Sequence, residues 1–431
     1  MSFADQVRTQ FDHLLTRSQG TEKTFRQKAW DQYALLGLPG RKTESWKYSS
    51  LNKITLAPWA LSEDAALVNP RVRQLIEQWS GEFEIIFVGD GGLRPELSTF
   101  KSSPGAALSA LSFDDAQLDI EDGFAGLSAA LSRPGFHLQL ADQYCAPKPV
   151  LIIHAQSGAS TWSPLVNRIS LGAKASLELA EIHLGEGGRY LRSQITSVDV
   201  AEGALLNWVR VQQEGFEAYH FSEVQSRLAA GAQLSLTQLN GGAAWCRSNL
   251  RTEIRGERAE AHINGLTFAR GDQHIDQRVE ARHLKGNSSS AQLFKGVLKD
   301  RARGVLNGKI LIERDAQKVI SSQLNHNLLL SSNAEADTKP ELEIYADDVK
   351  ANHGASIGRL DENKMFYLMS RGITRQVAQQ MLAHAFVGDV LMKIGPKRLR
   401  RFADTCVQSW LPEFSSDMEH TLDGALQGAR T

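Results

Sequence analysis

The residues best suited to chemistry gather in Glu341-Leu-Glu-Ile-Tyr-Ala-Asp-Asp-Val-Lys-Ala-Asn-His-Gly-Ala-Ser-Ile-Gly-Arg-Leu360. Asp347 and Asp348 look like a carboxylate dyad, but neighbours on a strand project to opposite sides of a sheet, which argues against an acid–base pair. His353 carries more promise. An unperturbed imidazole titrates at about 6.5, so near neutral pH its lone pair is mostly free for a transition metal. Twelve histidines are scattered along the chain, and the spacing of His262, His274 and His283 matches no metal-ligand motif. Each of those three reads as a hydrogen-bonded structural histidine. Cys145, Cys246 and Cys406 lie far apart, with no Cys-x-x-Cys. That argues for a reducing compartment and against a disulfide framework or a self-contained metal site.

Several chemistries are excluded. There is no G-x-S-x-G elbow, no H-E-x-x-H and no Rossmann glycine run. Gly40-Arg41-Lys42-Thr43 is a near miss for a phosphate loop, because Gly40 precedes Arg and position 35 is Leu. No nucleotide site follows from it. Lys plus Arg (48) nearly cancel Asp plus Glu (49), so no global field favours nucleic acid or an anionic membrane. No apolar run approaches the roughly 20 residues of a membrane span. Met1-Ser-Phe-Ala-Asp-Gln-Val-Arg8 lacks the basic start and apolar core of a secretion signal. A cytoplasmic protein is expected.

The elements that position these residues come next. The run from Glu341 opens as a strand, with Leu342, Ile344 and Ala346 on one side and Glu343, Tyr345 and Asp347 on the other. Gly354 allows a turn, which would put His353 at a strand end and not in mid-ladder. Residues 1 to 36 read as two helices, with Phe25, Ala29, Tyr33 and Leu36 recurring at helical steps, Thr21 as a cap and Gly37 as a stop. Leu38-Pro39-Gly40 forces a turn, and Trp46 and Tyr48 pin the exposed loop that follows. Phe83-Glu-Ile-Ile-Phe-Val88 reads as a strand, Leu108 to Leu131 as short helical fragments interrupted by glycines, and Cys145-Ala-Pro-Lys-Pro149 as a linker.

After Gly372 the period becomes helical. Thr374 is an N-cap, and Val377, Met381 and Ala385 with Ala378, Leu382 and Phe386 form one broad apolar stripe. Gly395-Pro396 breaks this helix. A second follows, with Leu399, Phe402, Cys406, Val407 and Trp410 on one face. Lys397, Arg398, Arg400 and Arg401 lie near its start, the wrong end for the helix dipole. They form a solvated face, or one that meets an acidic patch on a partner. Three regions result: 1–145 mixed and helical, 146–371 the β core, and 372–431 helical.

The middle of the chain repeats. Leu171-Gly-Ala-Lys-Ala-Ser-Leu-Glu-Leu179, Ala201-Glu-Gly-Ala-Leu-Leu-Asn-Trp208, Ala230-Gly-Ala-Gln-Leu-Ser-Leu-Thr237 and Arg255-Gly-Glu-Arg-Ala-Glu-Ala-His-Ile263 each place a glycine turn before an alternating strand. Glycines 172, 203, 231 and 256 step by 31, 28 and 25 residues. Such spacing suits the coils of a β-solenoid, a rod on the order of 40 Å at about 4.8 Å per coil. A β-sandwich fits the spacing equally well.

Three blocks carry a family resemblance. Thr338-Lys-Pro-Glu-Leu-Glu-Ile-Tyr-Ala-Asp-Asp-Val-Lys350 with His353-Gly354-Ala355 resembles the C-terminal signature of the SufB/SufD family of iron–sulfur cluster assembly proteins. Gly37-Leu-Pro-Gly-Arg-Lys-Thr-Glu-Ser-Trp-Lys-Tyr48 resembles the N-terminal signature of its SufD branch, and Gly304-Val-Leu-Asn-Gly-Lys-Ile310 matches a third block between them. The resemblance implies a mainly β protein, a right-handed parallel β-helix core flanked by N-terminal and C-terminal helical regions. It implies a non-catalytic scaffold subunit that acts with SufB and the ATPase SufC in de novo cluster assembly and iron acquisition.

The same resemblance places His353 against SufB, whose cysteine would complete a site holding iron or a cluster transiently. Well-studied members of the family carry a cysteine where this chain has Ala351, so any thiolate must come from the partner. The terminal strand, with Glu341, Ile344, Tyr345 and Val349, would form the SufB interface, an edge open to pairing. Val377, Met381, Leu382 and Phe386 would dock SufC. The resemblance also leaves open a reduced flavin, held by some family complexes, and a homodimer of the isolated chain. The rival reading is a solenoid carbohydrate-active enzyme, which would need clustered carboxylates along one strand face and a secretion signal. Neither is present in the sequence.

Overall fold

A computed structural model describes residues 2–40, 42–62, 69–156, 158–185 and 188–414. Arg41 of the near-miss loop and residues 415–431 of the C-terminal region lie outside the described residues. Two ten-stranded sheets dominate. From Arg133–Leu140 onward, successive strands alternate between the sheets, and every later pairing within a sheet is parallel. The result is a β-solenoid of eight turns, which settles the choice between solenoid and sandwich. Its sheets begin before residue 146: Glu84–Gly89 pairs with Val150–Gln156, and Arg133–Leu140 pairs with Thr161–Leu171.

Alternation along the strands fills the interior. Leu179, Trp208, Leu236 and Ile263 stack in one column, one residue per coil, inside a single buried core. The corners explain the sequence repeat. Lys174, Gly203, Gly231, Arg258, Asn287 and Lys318 all take positive φ, between 52° and 65°. Each donates its N–H to a carbonyl of the next coil, as Gly203 does to Ala230 at 2.9 Å and Arg258 to Asn287 at 3.0 Å. The left-handed conformation costs a non-glycine residue about 1–2 kcal/mol, and the inter-coil bond offsets part of it. Gly203 and Gly231 therefore sit in the left-handed corner. Gly172 and Gly256 serve a different need: a Cβ there would overlap the backbone of Asp142 or Ala230 on the adjacent coil. The uneven steps of 31, 28 and 25 mix these two positions.

Helices flank the rod. At the N-terminus, α1 (Phe3–Arg17) and α2 (Gly20–Leu36) match the two expected helices. The α2 N-cap is Gln19, without a side-chain bond, so Thr21 lies inside the helix and does not cap it; Gly37 ends it at φ 66°. Short helices α3 (Asn52–Thr55) and α4 (Pro70–Trp79) follow. Residues 108–131 hold one strand, Ala106–Ala110, and one helix, α5 (Gly123–Leu131), where several helical fragments were expected. Its glycines are no interruption. A Cβ on Gly123 would overlap the Gly37 carbonyl, and one on Gly126 would press on Ala29 and Tyr33, so both allow α2 to lie close.

Helices α1, α2, α3 and α5 cover the outer face of one sheet, where Phe124, Trp162, Phe221 and Trp245 form a cluster with Trp46, whereas Val72 and Trp79 of α4 pack on the second sheet. Trp46 is fully buried, stacks at 6.3 Å on Trp245, and carries the Arg247 guanidinium 3.9 Å from its ring. Tyr48 is only half-buried, so Trp46 is the anchor of its loop. At the other end, α7 (Arg375–Met392) and α8 (Lys397–Trp410) pack on the second sheet, and α6 (Glu362–Ser370) packs on α7. Thr374 caps α7 by accepting from the Val377 N–H, and α8 buries Leu399, Phe402, Cys406, Val407 and Trp410 as its pattern requires. No helix among the described residues is long and apolar enough to cross a membrane.

Candidate functional site

The solenoid ends in two strands, Glu335–Ile344 and Val349–Gly358, each at the edge of its sheet. Asp347 and Asp348 lie in the corner between them, and the Asp348 carbonyl accepts from Lys318 N–H at 2.6 Å. His353 is not at a strand end. It sits in mid-ladder opposite Gln323, because Gly354 continues the strand and makes no turn. Its face follows from the register: Ser321, Gln323 and Asn325 are buried, and Ala351, His353 and Ala355 stack on them. His353 therefore shares the interior face, yet it is exposed because no described coil covers it.

The other expected interface residues surround this end. Ile344 is 39% exposed and Tyr345 57%. Val349 is half-buried against Ile310 and Ile312. Glu341 lies on the outward face and pairs with Lys339 at 2.6 Å. Ile357, Ile320 and Leu324, which the sequence did not single out, add exposed apolar area. A cut face of the core, with one imidazole on it, is the chemical content of this end.

A second apolar surface lies on α6 and α7. The broad stripe expected on α7 divides. Ala378 is buried, Leu382 and Phe386 are half-buried, and Val377 and Met381 stay exposed, since the helix turns Ala383, Val387 and Val390 toward the sheet. Lys295 fixes this orientation by donating to the Phe386 carbonyl at 2.6 Å and to Asp389 at 2.5 Å. Phe366 (74% exposed), Tyr367 and Met369 of α6 extend the surface. Between the helices runs a groove of about 380 Å³, lined by Asn363, Lys364, Tyr367, Leu368 and Leu382. The basic start of α8 is partly engaged: Arg401 pairs with Glu82, and Arg400 Nε donates to the Ile394 carbonyl at 2.9 Å.

The histidines divide clearly. His262 is exposed. His274 is hydrogen bonded to Ser49, which also donates to Asp276. His283 is buried between Ser288 and Ser290, each at 2.9 Å, and burial pushes it down to about 4. Sequence reasoning missed the densest polar group. His154, Glu181 and His183 meet inside the first and second coils, all with no exposed surface. Their signal was faint. Glu181 and His183 share a strand face by alternation, and His154 lies opposite His183 in the ladder, 29 residues earlier. Burial opposes the charged form of Glu181, yet Arg210 and the two imidazoles hold it well below the usual carboxylate range; desolvation holds both histidines below theirs.

These features define a class: a parallel two-sheet β-solenoid clamped by terminal helices and open at its last coil. The family described as SUF system FeS cluster assembly, SufBD core domain, matches residues 154–386. The iron-sulfur cluster assembly protein SufD of Escherichia coli is 30% identical over 403 residues, 90% of this chain and 93% of its own length. A SufBD family iron-sulfur cluster assembly protein of Synechocystis is 25% identical, covering 90% of this chain and 92% of its own. One from Mycobacterium leprae is 27% identical over 84% of this chain and 88% of its own. The chain belongs to the SufBD family of iron–sulfur cluster assembly proteins.

Proposed function

We propose that this chain is a non-catalytic, cytoplasmic scaffold subunit of the SUF system, filling the SufD role beside SufB and the ATPase SufC. The observation that carries this reading is the open last coil with His353 on its interior face. An uncovered strand edge offers free backbone groups to another chain. SufB, a homologue, supplies coils of matching width, so the two rods pair end to end through Ile344, Tyr345, Val349 and their neighbours. His353 then faces the partner, and one imidazole joins a SufB thiolate in holding iron or a nascent cluster, which is cargo and not a resident cofactor. Ala351 leaves the thiolate to SufB alone.

The groove between α6 and α7 receives SufC. Val377, Met381 and Leu382 with Phe366 form the apolar contact, and Phe386 supports it from beneath. ATP hydrolysis belongs to SufC, consistent with a sequence that lacks a phosphate loop. The test is co-expression of this chain with its cognate SufB and SufC, purification through a tag on SufB, and metal and sulfide analysis of the product. A stable ternary complex that builds clusters supports the reading. Recovery of SufB and SufC without this chain contradicts it.

A further inference from the structure

We propose that His154, Glu181 and His183 form a site for one divalent first-row transition metal ion inside the solenoid. The inference goes beyond the scaffold reading and does not rest on it, because the cluster lies six or seven strand spacings from His353, about 30 Å along the rod. Two observations carry it. His154 Nε2 lies 2.8 Å and His183 Nε2 3.3 Å from the same oxygen, Glu181 Oε1. A metal bound at about 2.0–2.2 Å holds its donors about 3–3.5 Å apart; both imidazole–carboxylate spacings are near that range, and all three donor atoms lie within 4.8 Å of one another.

The second observation is that the cluster is incomplete without a ligand. Nδ1 of His183 and Nδ1 of His154 have no hydrogen-bond partner, and His183 Nε2 meets only Glu181 Oε1, at 3.3 Å, although neither residue has exposed surface. Buried polar atoms are almost always paired, so an imidazole with one nitrogen unmatched and the other only loosely met marks a place where something else binds. A neutral imidazole can offer Nε2 to a metal and keep its proton on Nδ1, so loading needs no net proton release from either histidine.

The surroundings suit a cation. Arg210 donates to Glu181 Oε2 at 2.7 Å and leaves Oε1 facing the imidazoles. Gln194 Nε2 donates to Oε1 at 2.9 Å and orients it, as outer groups orient metal-binding carboxylates. Arg192 lies 3.5 Å from Glu214 and 4.0 Å from Asp90. Three carboxylates thus face two guanidinium groups, with the His220 imidazole 2.7 Å from Glu214. Two imidazoles and one carboxylate favour a first-row ion such as Fe(II), Co(II) or Zn(II) over calcium or magnesium, which prefer all-oxygen sites.

Because the site is enclosed, the ion must enter during folding or through slow opening. The test uses the full, untagged chain and Co(II), both by anaerobic refolding in its presence and by long incubation of the native chain, followed by desalting. About one Co(II) per chain should remain, with ligand-field absorption. His183→Gln should lower retained cobalt at least about tenfold, while Glu181 stays held by Arg210, Gln194 and His154. His262→Ala, at an exposed histidine outside both sites, should retain cobalt like the parent. X-ray absorption of the loaded parent needs no variant and should give two imidazoles in the first shell. Absence of bound cobalt by both routes, unchanged binding in His183→Gln, or fewer than two imidazole ligands would each overturn the proposal.

Discussion

Phe366 is the sharpest probe of the α6–α7 surface. It is 74% exposed and belongs to none of the core clusters. An aromatic side chain offers about 150–250 Å², so about 150 Å² of Phe366 is free for a partner to cover. At about 25 cal/mol per Å² that area is worth up to about 4 kcal/mol. Ordering the side chain and imperfect desolvation reduce it, leaving at least about 2 kcal/mol, an affinity loss of about thirtyfold or more on removal. Phe366→Asp should lose more, because a carboxylate is then driven into a dry contact. Folding should be untouched, since an exposed substitution away from packed features stays within about 0.5 kcal/mol. Isothermal titration of SufC into the chain measures the first quantity and urea unfolding the second. Affinity within about threefold of the parent, with the fold intact, refutes this docking surface. Met381→Asp, on the facing helix, should behave alike.

The remaining predictions concern the body of the protein. Trp46→Ala should cost about 3–5 kcal/mol, because it empties a fully buried site and takes the ring from beneath Arg247; Trp46→Phe should recover part of this in urea melts. His283 titrates at 6.5 when unfolded and near 4 when folded. Its depressed value contributes nothing above about pH 6.5, and below it the unfolded chain takes up the proton first. Stability should therefore fall by up to about 3 kcal/mol between about pH 6.5 and 4 on this account, a slope that His283→Gln should remove from the unfolding curves. The purified chain should neither bind nor hydrolyse ATP, as nucleotide titration and phosphate release will measure.

Much of the fold was legible because a solenoid repeats its physics every coil. Alternating strands after glycine corners gave the coils, and Thr374, Gly37 and the α8 stripe gave helix ends and faces. What escaped was set by packing between distant residues. Gly123 and Gly126 look like helix breakers, yet they permit α2 to approach. Gly354 looks like a turn, but ladder pairing with Leu324 keeps it extended. The α7 stripe appeared single, and only the sheet beneath chose which half to bury. His154 stands about one coil before Glu181 and His183 in sequence, so their meeting depends on a register that periodicity alone does not reveal. His353 was found through the family signature, and its interior-facing position came from its neighbours Gln323 and Asn325.

The central claim is that the open last coil pairs with SufB while His353 serves the cargo. The direct measurement is anaerobic cluster assembly by the purified complex carrying His353→Ala, with iron and sulfide counted per complex and pairing followed by size exclusion. Backbone and apolar contacts along two strands should survive loss of one exposed side chain, whereas a site with few ligands should not survive loss of one. The variant should form the complex like the parent but hold at least about tenfold less cluster. Ala351→Cys should leave both properties near parental values. Full cluster assembly by His353→Ala, or its failure to pair with SufB, would contradict the account.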